Sequence, residues 1–245
     1  MHGADVHSAP QLTDIRVILL DIEGTTTPIE FVHQVLFPYA RAHTLEHLDA
    51  REVAALRAEY RSEPTQSDLP AWNAADDLGS AEAYVYWLMD RDRKSTALKA
   101  LQGRIWEAGY RAGELKGKGE VYPDVRPALA RWHESGKEIA IFSSGSVQAQ
   151  RNLFANTTAG DLSLLLSAYF DTTTGSKREP ASYSKIAAAL RRTPREVLFI
   201  SDVAAELDAA RQAGMRTALC MRGGSTPPKA AANDHPRIRS FDEVA

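Results

Sequence analysis

The sequence predicts an α/β fold: a doubly wound parallel-sheet, Rossmann-like core with a helical cap domain inserted after the first strand. Three observations indicate this fold class. Four short apolar runs are continuous rather than alternating, helical patterns precede the last three of them, and a long helical stretch separates the first run from the other three. Continuous apolar runs are typical of strands buried on both faces, as in parallel sheets.

The predicted strands are short and bounded by turn residues. In chain order they lie at 17–20, 138–142, 197–200 and 217–221. Runs of four or five apolar residues fit buried strands better than helices, which need ten or more residues. The sequence therefore predicts these four strands as the centre of the sheet.

Helical patterns precede the last three strands, at 125–134, 183–192 and 204–213. Gly136 and Gly214 follow two of these patterns, at positions where a helix commonly ends on a left-handed residue. Helices that alternate with strands predict a parallel sheet with right-handed crossovers.

The stretch 31–119 differs in character from the rest of the chain. It is helical in pattern, and Pro64, Pro70 and the pair Gly79–Ser80 are predicted to break it into several helices. The simplest organisation is a core formed by 14–30 and 120–245, with 31–119 as the helical cap.

Composition restricts the partners and the location of the protein. The net charge of −3 gives no electrostatic footprint for nucleic acid or for an anionic membrane. The chain has one cysteine, Cys220, so it cannot form an internal disulfide, and the apolar run around Cys220 predicts a buried thiol. No apolar run approaches the roughly 20 residues of a membrane helix. We therefore expect a cytoplasmic protein that binds neither nucleic acid nor membrane. Independently of composition, we expect a monomer with a small-molecule substrate.

Polar side chains follow three of the predicted strands directly. Asp21 and Glu23 follow the first strand, Ser143 and Ser144 follow the second, and Asp202 follows the third. Any one of them alone is more simply explained as a turn or cap residue. Because ligands bind outside the carboxyl ends of the strands in open parallel sheets, the coincidence of all three indicates a functional site.

The residue types indicate metal-assisted phosphoryl transfer. Two carboxylates at one sheet edge repel each other, and Mg²⁺, which prefers carboxylate oxygens and retains water, would offset that repulsion. A carboxylate can also attack phosphorus to give an aspartyl-phosphate. Lys177, in the loop that precedes a predicted helix, is the candidate cation for the phosphoryl oxygens, and the alternative is an exposed loop lysine.

These residues resemble the haloacid dehalogenase-like hydrolases, whose four motifs match DIEGT, FSSGS, the Lys177 loop and SDVAAE in order. The chain is similar in more detail to the enolase-phosphatases of methionine salvage, also called acireductone synthases. That resemblance is carried by DIEGTTTP with FVHQVLFPYA, by DRKSTALKALQGRIWEAGY, and by SSGSVQAQ and YFDTTTG. Glu23 is a discriminating feature, since most members of the larger superfamily have aspartate there.

The resemblance implies a phosphohydrolase that enolises 2,3-diketo-5-methylthiopentyl-1-phosphate and then removes the phosphate to leave acireductone. It implies Asp21 as nucleophile and metal ligand, Glu23 as metal ligand through its carbonyl and as acid/base, and Asp202 as a further ligand of one Mg²⁺ per chain. Ser143, Ser144 and Lys177 would bind the substrate, chiefly its phosphate. Glu206 either orients the metal's water shell or is an ordinary acid on a helix surface.

Two other functions remain open at this point. A capped phosphatase for another small phosphate ester, such as a sugar phosphate, would share every core motif. A phospho-acceptor receiver module also combines acids, a hydroxyl and a lysine on a doubly wound sheet. Its acceptor, however, follows a middle strand, and it lacks a large helical insert after the first strand.

Overall fold

The computed structural model describes residues 12–64, 67–91, 93, 95–224 and 235–245. The chain divides into two compact units: one extends up to Phe31 and resumes at Lys116, and the other is Val32–Leu115. The first unit contains the sheet, and the second is helical. Within the described residues, no helix is both long enough and apolar enough to cross a membrane.

The described part of the first unit contains a six-stranded parallel sheet with the order β3-β2-β1-β4-β5-β6. The strands are β1 (Val17–Leu20), β2 (Glu138–Phe142), β3 (Ala168–Phe170), β4 (Val197–Ser201), β5 (Arg216–Cys220) and β6 (Arg237–Ile238). Every residue of β1 and β4 is buried, as their continuous apolar sequence predicts. The predicted α/β class and parallel sheet are therefore confirmed.

The register brings the ends of the central strands to one level. Leu20 pairs with Ile141 of β2 on one side and with Ile200 of β4 on the other. The residues that follow these three strands consequently leave the sheet side by side. β1 lies between β2 and β4, so Asp21 begins its loop at the centre of that edge.

Two strands were missed by the sequence analysis. β3 has three half-buried residues and β6 has two residues, so neither presents an apolar run long enough to be recognised. Both are edge strands that hydrogen-bond to one neighbour only. Cys220 is buried at the end of β5, as predicted, and burial raises the pKa of its thiol to about 12.

The described part of the second unit contains helices that pack on one another. The first segment of the first unit ends with α1 (Ile29–Phe31). A π-helical segment, Val32–Leu36, then leads into α2 (Phe37–Ala42), α3 (Ala50–Tyr60), α4 (Asp77–Asp90) and α5 (Thr96–Ala112). Leu56, Tyr84, Leu88, Leu101 and Ile105 are fully buried and form the centre of its apolar core.

The predicted helix break at Gly79–Ser80 was wrong, because both residues lie in the first turn of α4. Asp76 caps this helix by accepting a hydrogen bond from the Gly79 N–H at 3.0 Å. A Cβ on Gly79 would lie 2.4 Å from the Asp76 carboxylate. Glycine therefore allows the cap to approach closely instead of ending a helix.

The remaining helices belong to the first unit and cover its sheet. They are α6 (Val125–Glu134), α7 (Val147–Ala155), α8 (Pro180–Ala189) and α9 (Ala204–Gln212). α6 has the predicted bounds, and α9 is one residue shorter than predicted. α8 begins and ends three residues earlier than predicted. Pro180 occupies its first turn, where the missing N–H of proline costs no hydrogen bond.

Candidate active site

Asp21 is the buried centre of the site. Its residue is 5% exposed, and its N–H donates to the Ile200 carbonyl, which fixes it directly after β1. Its Oδ1 accepts a hydrogen bond from the Ile22 N–H at 2.7 Å, and its Oδ2 accepts one from the Ser201 hydroxyl at 3.0 Å. These two donors fix the orientation of the buried carboxylate.

Lys177 is the cation of this site and not an exposed loop lysine. Its Nζ lies 2.7 Å from Asp21 Oδ1 and 2.7 Å from Glu206 Oε2, and the side chain is 8% exposed. Burial alone would lower the pKa of Lys177, but the charges of Asp21 and Glu206 outweigh it and raise that pKa. The Tyr183 hydroxyl on α8 donates to the Lys177 carbonyl at 2.7 Å, so α8 fixes the lysine loop.

Ser201 and Glu206 complete a closed set of contacts around Lys177. The Ser201 Oγ lies 3.3 Å from Glu206 Oε2, and it also accepts the Val203 N–H at 3.1 Å. Burial and the nearby Asp21 charge raise the pKa of Glu206 to about 7, against the opposing effect of Lys177. Glu206 is therefore not an ordinary surface acid. Ser201 was not predicted as a site residue; its only signal in the sequence is its place directly before Asp202.

Asp202 lies against the glycine of the first motif. A Cβ on Gly24 would lie 2.2 Å from Asp202 Oδ2, and Gly24 has a φ of +68°, so only glycine fits there without strain. The Asp202 N–H donates to the buried Thr25 hydroxyl at 3.1 Å. Partial desolvation and the charge of Asp21 raise the pKa of Asp202 to about 6, although its outer side is exposed to solvent.

Glu23 differs from Asp21 in its surroundings. The chain bends at Ile22, between the two acids. Asp21 is consequently buried and Glu23 is exposed. The Glu23 carboxylate is close enough to Asp202 for its charge to contribute to the raised pKa of Asp202. Glu23 thus faces the solvent beside the buried group of charges.

Ser143 and Ser144 leave the sheet from β2, next to the Asp21 loop. Ser143 is buried, its N–H donates to the Phe170 carbonyl at 3.2 Å, and its hydroxyl accepts the Gly145 N–H at 3.3 Å. Ser144 is exposed. The Ser146 hydroxyl caps α7 by accepting the Ala149 N–H. These hydroxyls and the N-terminus of α7 provide donors for an anion at the same edge as Asp21.

The oxygen donors of the site fit Mg²⁺, which keeps water ligands, better than a metal ion that is bound by protein side chains alone. Within the described part of the chain, no three His, Cys, Asp or Glu side chains are grouped so as to hold a metal ion. Mg²⁺ commonly takes one or two carboxylates and keeps water or substrate oxygens at its other positions. Asp21 and Asp202 are close enough for the charge of Asp21 to raise the pKa of Asp202, and a cation held between them would offset that repulsion.

Comparison with known proteins gives a consistent set of relatives. A model of the haloacid dehalogenase-like hydrolases matches residues 15–214. The chain is 52% identical over 243 residues to the enolase-phosphatase E1 of Synechococcus elongatus, covering 96% of this chain and 100% of that protein. It is 48% identical to the enolase-phosphatase E1 of Sorangium cellulosum, covering 94% and 97%.

A solved structure shares the fold over nearly its whole length. The crystal structure of the UTR4 protein of Saccharomyces cerevisiae superposes with a TM-score of 0.69 at 32% identity. The match covers 93% of this chain and 99% of that protein.

Proposed function

The chain belongs to the enolase-phosphatase branch of the haloacid dehalogenase-like hydrolases, and from that premise we propose that Asp21 is the nucleophile of a phosphatase acting in methionine salvage. The observation that carries the proposal is the buried Asp21 carboxylate with Lys177 Nζ at 2.7 Å, at the carboxyl end of β1. The substrate we propose is 2,3-diketo-5-methylthiopentyl-1-phosphate, which is enolised and then dephosphorylated to acireductone and phosphate.

In the phosphatase step, an Asp21 carboxylate oxygen attacks phosphorus and the bond from phosphorus to the substrate oxygen breaks. The departing oxygen takes a proton, and the phosphoryl group remains on Asp21 as an acyl phosphate. Water then attacks phosphorus, and phosphate leaves with Asp21 restored. Splitting hydrolysis into two displacements lowers the barrier of each.

Lys177 has two roles in this proposal. In the resting site its single positive charge is shared between Asp21 and Glu206, each 2.7 Å from the Lys177 Nζ. When the phosphoryl group arrives, the same ammonium group lies beside the oxygens on which negative charge develops. Ser143 and Ser144, with the N–H groups that begin α7, would hold the other phosphate oxygens.

We assign the proton transfers to Glu23. It would protonate the departing oxygen and, as a carboxylate, then take the proton of the attacking water. Its exposed side chain beside Asp202 supports this assignment, because both substrate and water can reach it. For enolisation, we propose that Glu23 moves the proton from carbon to oxygen.

Phosphatases of this superfamily generally use Mg²⁺, and we propose one ion per chain held by Asp21, Asp202 and the Glu23 carbonyl. When bound, Mg²⁺ would neutralise the carboxylates and polarise substrate oxygens as a Lewis acid. The exposed outer side of Asp202 supports this choice of ligand, because the ion and its waters need access to that carboxylate.

The division into a core (14–30 and 120–245) and a cap (31–119) is also part of the proposal. Its support is the division of the chain between Phe31 and Val32 and between Leu115 and Lys116. The monomeric state and the cytoplasmic location stay predictions.

The test is a dual assay of the purified protein with the phosphorylated diketone, which follows enediol absorbance and phosphate release together, in Mg²⁺ and in chelator. We expect both signals to require Mg²⁺. Asp21→Asn removes the attacking charge at constant shape and should abolish phosphate release. Turnover by this variant at the wild-type rate would rule out Asp21 as the nucleophile. Release from sugar phosphates without a response to the diketone would leave a phosphatase of different specificity.

A further inference from the structure

Arg222 follows β5, and its guanidinium lies between two aromatic rings. The side chain is 8% exposed. Its Cζ lies 4.4 Å from the centre of the Tyr122 ring and 4.6 Å from that of Phe241. A planar guanidinium stacks on rings in this way, whereas the ammonium of a lysine does not.

Asp124 balances the charge of Arg222. Its Oδ2 accepts from Arg222 Nη1 at 2.7 Å and from the Phe241 N–H at 2.6 Å, and the Ser240 hydroxyl lies 3.0 Å away. Burial opposes the charged form of Asp124, but these donors prevail and lower its pKa. The C-terminal turn at Ser240–Phe241 is thereby attached to the ion pair.

The same arginine holds the loop that carries Asp21. Arg222 Nε donates to the Thr25 carbonyl at 3.0 Å, and the N–H of Tyr122, one of its stacking rings, donates to the Thr26 carbonyl at 3.0 Å. On the other side of the loop, Thr25 Oγ1 accepts the Asp202 N–H, and Thr26 Oγ1 donates to the Asp21 carbonyl. Thr25 and Thr26 are fully buried, so their positions depend on these bonds.

We propose that Arg222 is a positioning residue for the reaction at Asp21. This inference rests on the proposed function. Arg222 contacts neither Asp21 nor Asp202 through any bond described above; it acts through Thr25, whose carbonyl it fixes and whose hydroxyl fixes Asp202. Displacement of reacting groups by about 1 Å costs up to about a hundredfold in rate.

The chain supplies a matched control for this proposal. Arg131 donates to the Phe241 carbonyl at 2.9 Å and lies 3.8 Å from Asp242, so it binds the same C-terminal turn. Its described contacts are with that turn and with the ring of Trp132, and none of them is with the Asp21 loop. Arg222→Lys and Arg131→Lys make the same chemical change, and only the first removes a bond to the loop.

The experiment combines kinetics with hydrogen exchange of the full-length variants. For Arg222→Lys we expect kcat to fall about ten- to a hundredfold with KM within about threefold, because substrate still binds but meets displaced groups. Amides at 22–27 and at Asp202 should exchange faster. For Arg131→Lys we expect kcat within about twofold of wild type, and faster exchange confined to the C-terminal turn.

The outcomes separate this inference from the proposed function. If the wild type does not turn over the diketone, the proposed function fails, and hydrogen exchange alone still tests the positioning of the loop. Wild-type kcat together with wild-type exchange in Arg222→Lys would overturn the inference, as would equal loss of kcat in both variants. If Arg222→Lys does not fold, Asp124→Asn replaces it. We then expect a smaller fall in kcat and a smaller increase in exchange at the same amides, and wild-type values of both would overturn the inference.

Discussion

Gly24 allows the loop after β1 and Asp202 to approach each other closely. Its φ is +68°, and a Cβ would meet the Asp202 carboxylate at 2.2 Å. Gly24→Ala would therefore carry a backbone cost of about 1–2 kcal/mol and would also displace Asp202. We expect turnover to fall about a hundredfold, because a carboxylate of the proposed metal site moves. Steady-state phosphate release measures the effect.

Gly117 is the matched control for this substitution. It also has a φ of +68°, and among the described residues a Cβ there meets nothing within 4 Å. Gly117→Ala should lose similar stability through its backbone but keep its kcat. Equal activities of the two alanine variants would mean that the contact between Gly24 and Asp202 has no part in turnover.

Glu206 is expected to make stability depend on pH near neutrality. Its pKa in the folded protein is about 7, above the ordinary 4.5, so the folded state binds its proton more tightly than the unfolded state. That contribution is fully present below about pH 4.5 and is lost as pH rises through about 7. Relative to that of Glu206→Gln, the free energy of unfolding of the wild type should fall by on the order of 3 kcal/mol between pH 4.5 and 8.

Urea unfolding of both proteins in chelator, across this pH range, measures the difference. Glu196→Gln is the control of opposite sign, because bonds from the Thr193 hydroxyl and N–H lower the pKa of Glu196. Its difference from wild type should grow as pH rises through the ordinary range of glutamate. A pH-independent difference for Glu206→Gln would show that Lys177 holds Glu206 charged throughout.

At the scale of elements, the sequence predicted those whose apolar pattern is long and continuous. β1, β2 and α6 have the predicted bounds because polar residues mark the ends of each apolar pattern. β3 and β6 escaped prediction because a two- or three-residue edge strand is defined by its pairing partner and not by its own composition. Gly79 was misinterpreted because its role depends on the Asp76 side chain, which sequence spacing does not reveal.

The residues of the candidate site likewise fall into those that could be predicted from the sequence and those that could not. Asp21, Ser143 and Asp202 could be located from the sequence because each follows a central strand. The contact of Lys177 with Glu206 could not be predicted, since it depends on the conformation of the lysine loop, which the Tyr183 hydroxyl holds by a hydrogen bond to the Lys177 carbonyl. The place of Ser201 before Asp202 was too weak a signal to assign it, and Arg222 belongs to no motif. A serine after a strand and an arginine after another are common, and their roles arise only from partners far away in sequence.

At the scale of the whole molecule, the clustered carboxylates that the proposed reaction needs lower the stability of the folded protein when no metal is bound. Asp21, Asp202 and Glu206 place three carboxylates around one lysine, and burial with mutual repulsion raises the pKa of both Asp202 and Glu206. Such an arrangement weakens the folded state until a cation binds. The excess negative charge is the structural reason to expect that Mg²⁺ stabilises the protein and does not only activate it.

Thermal unfolding with and without Mg²⁺ tests this expectation. A ligand that binds only the folded state at a hundredfold excess over its Kd contributes roughly 2.7 kcal/mol, so the wild-type Tm should rise with Mg²⁺ and not with KCl of equal ionic strength. Asp202→Asn removes one repelling charge and one ligand. In chelator it should therefore be at least as stable as wild type, and in Mg²⁺ it should be less stable. This reversal distinguishes a metal ligand from a structural aspartate, because loss of a structural aspartate would lower the Tm equally in both conditions.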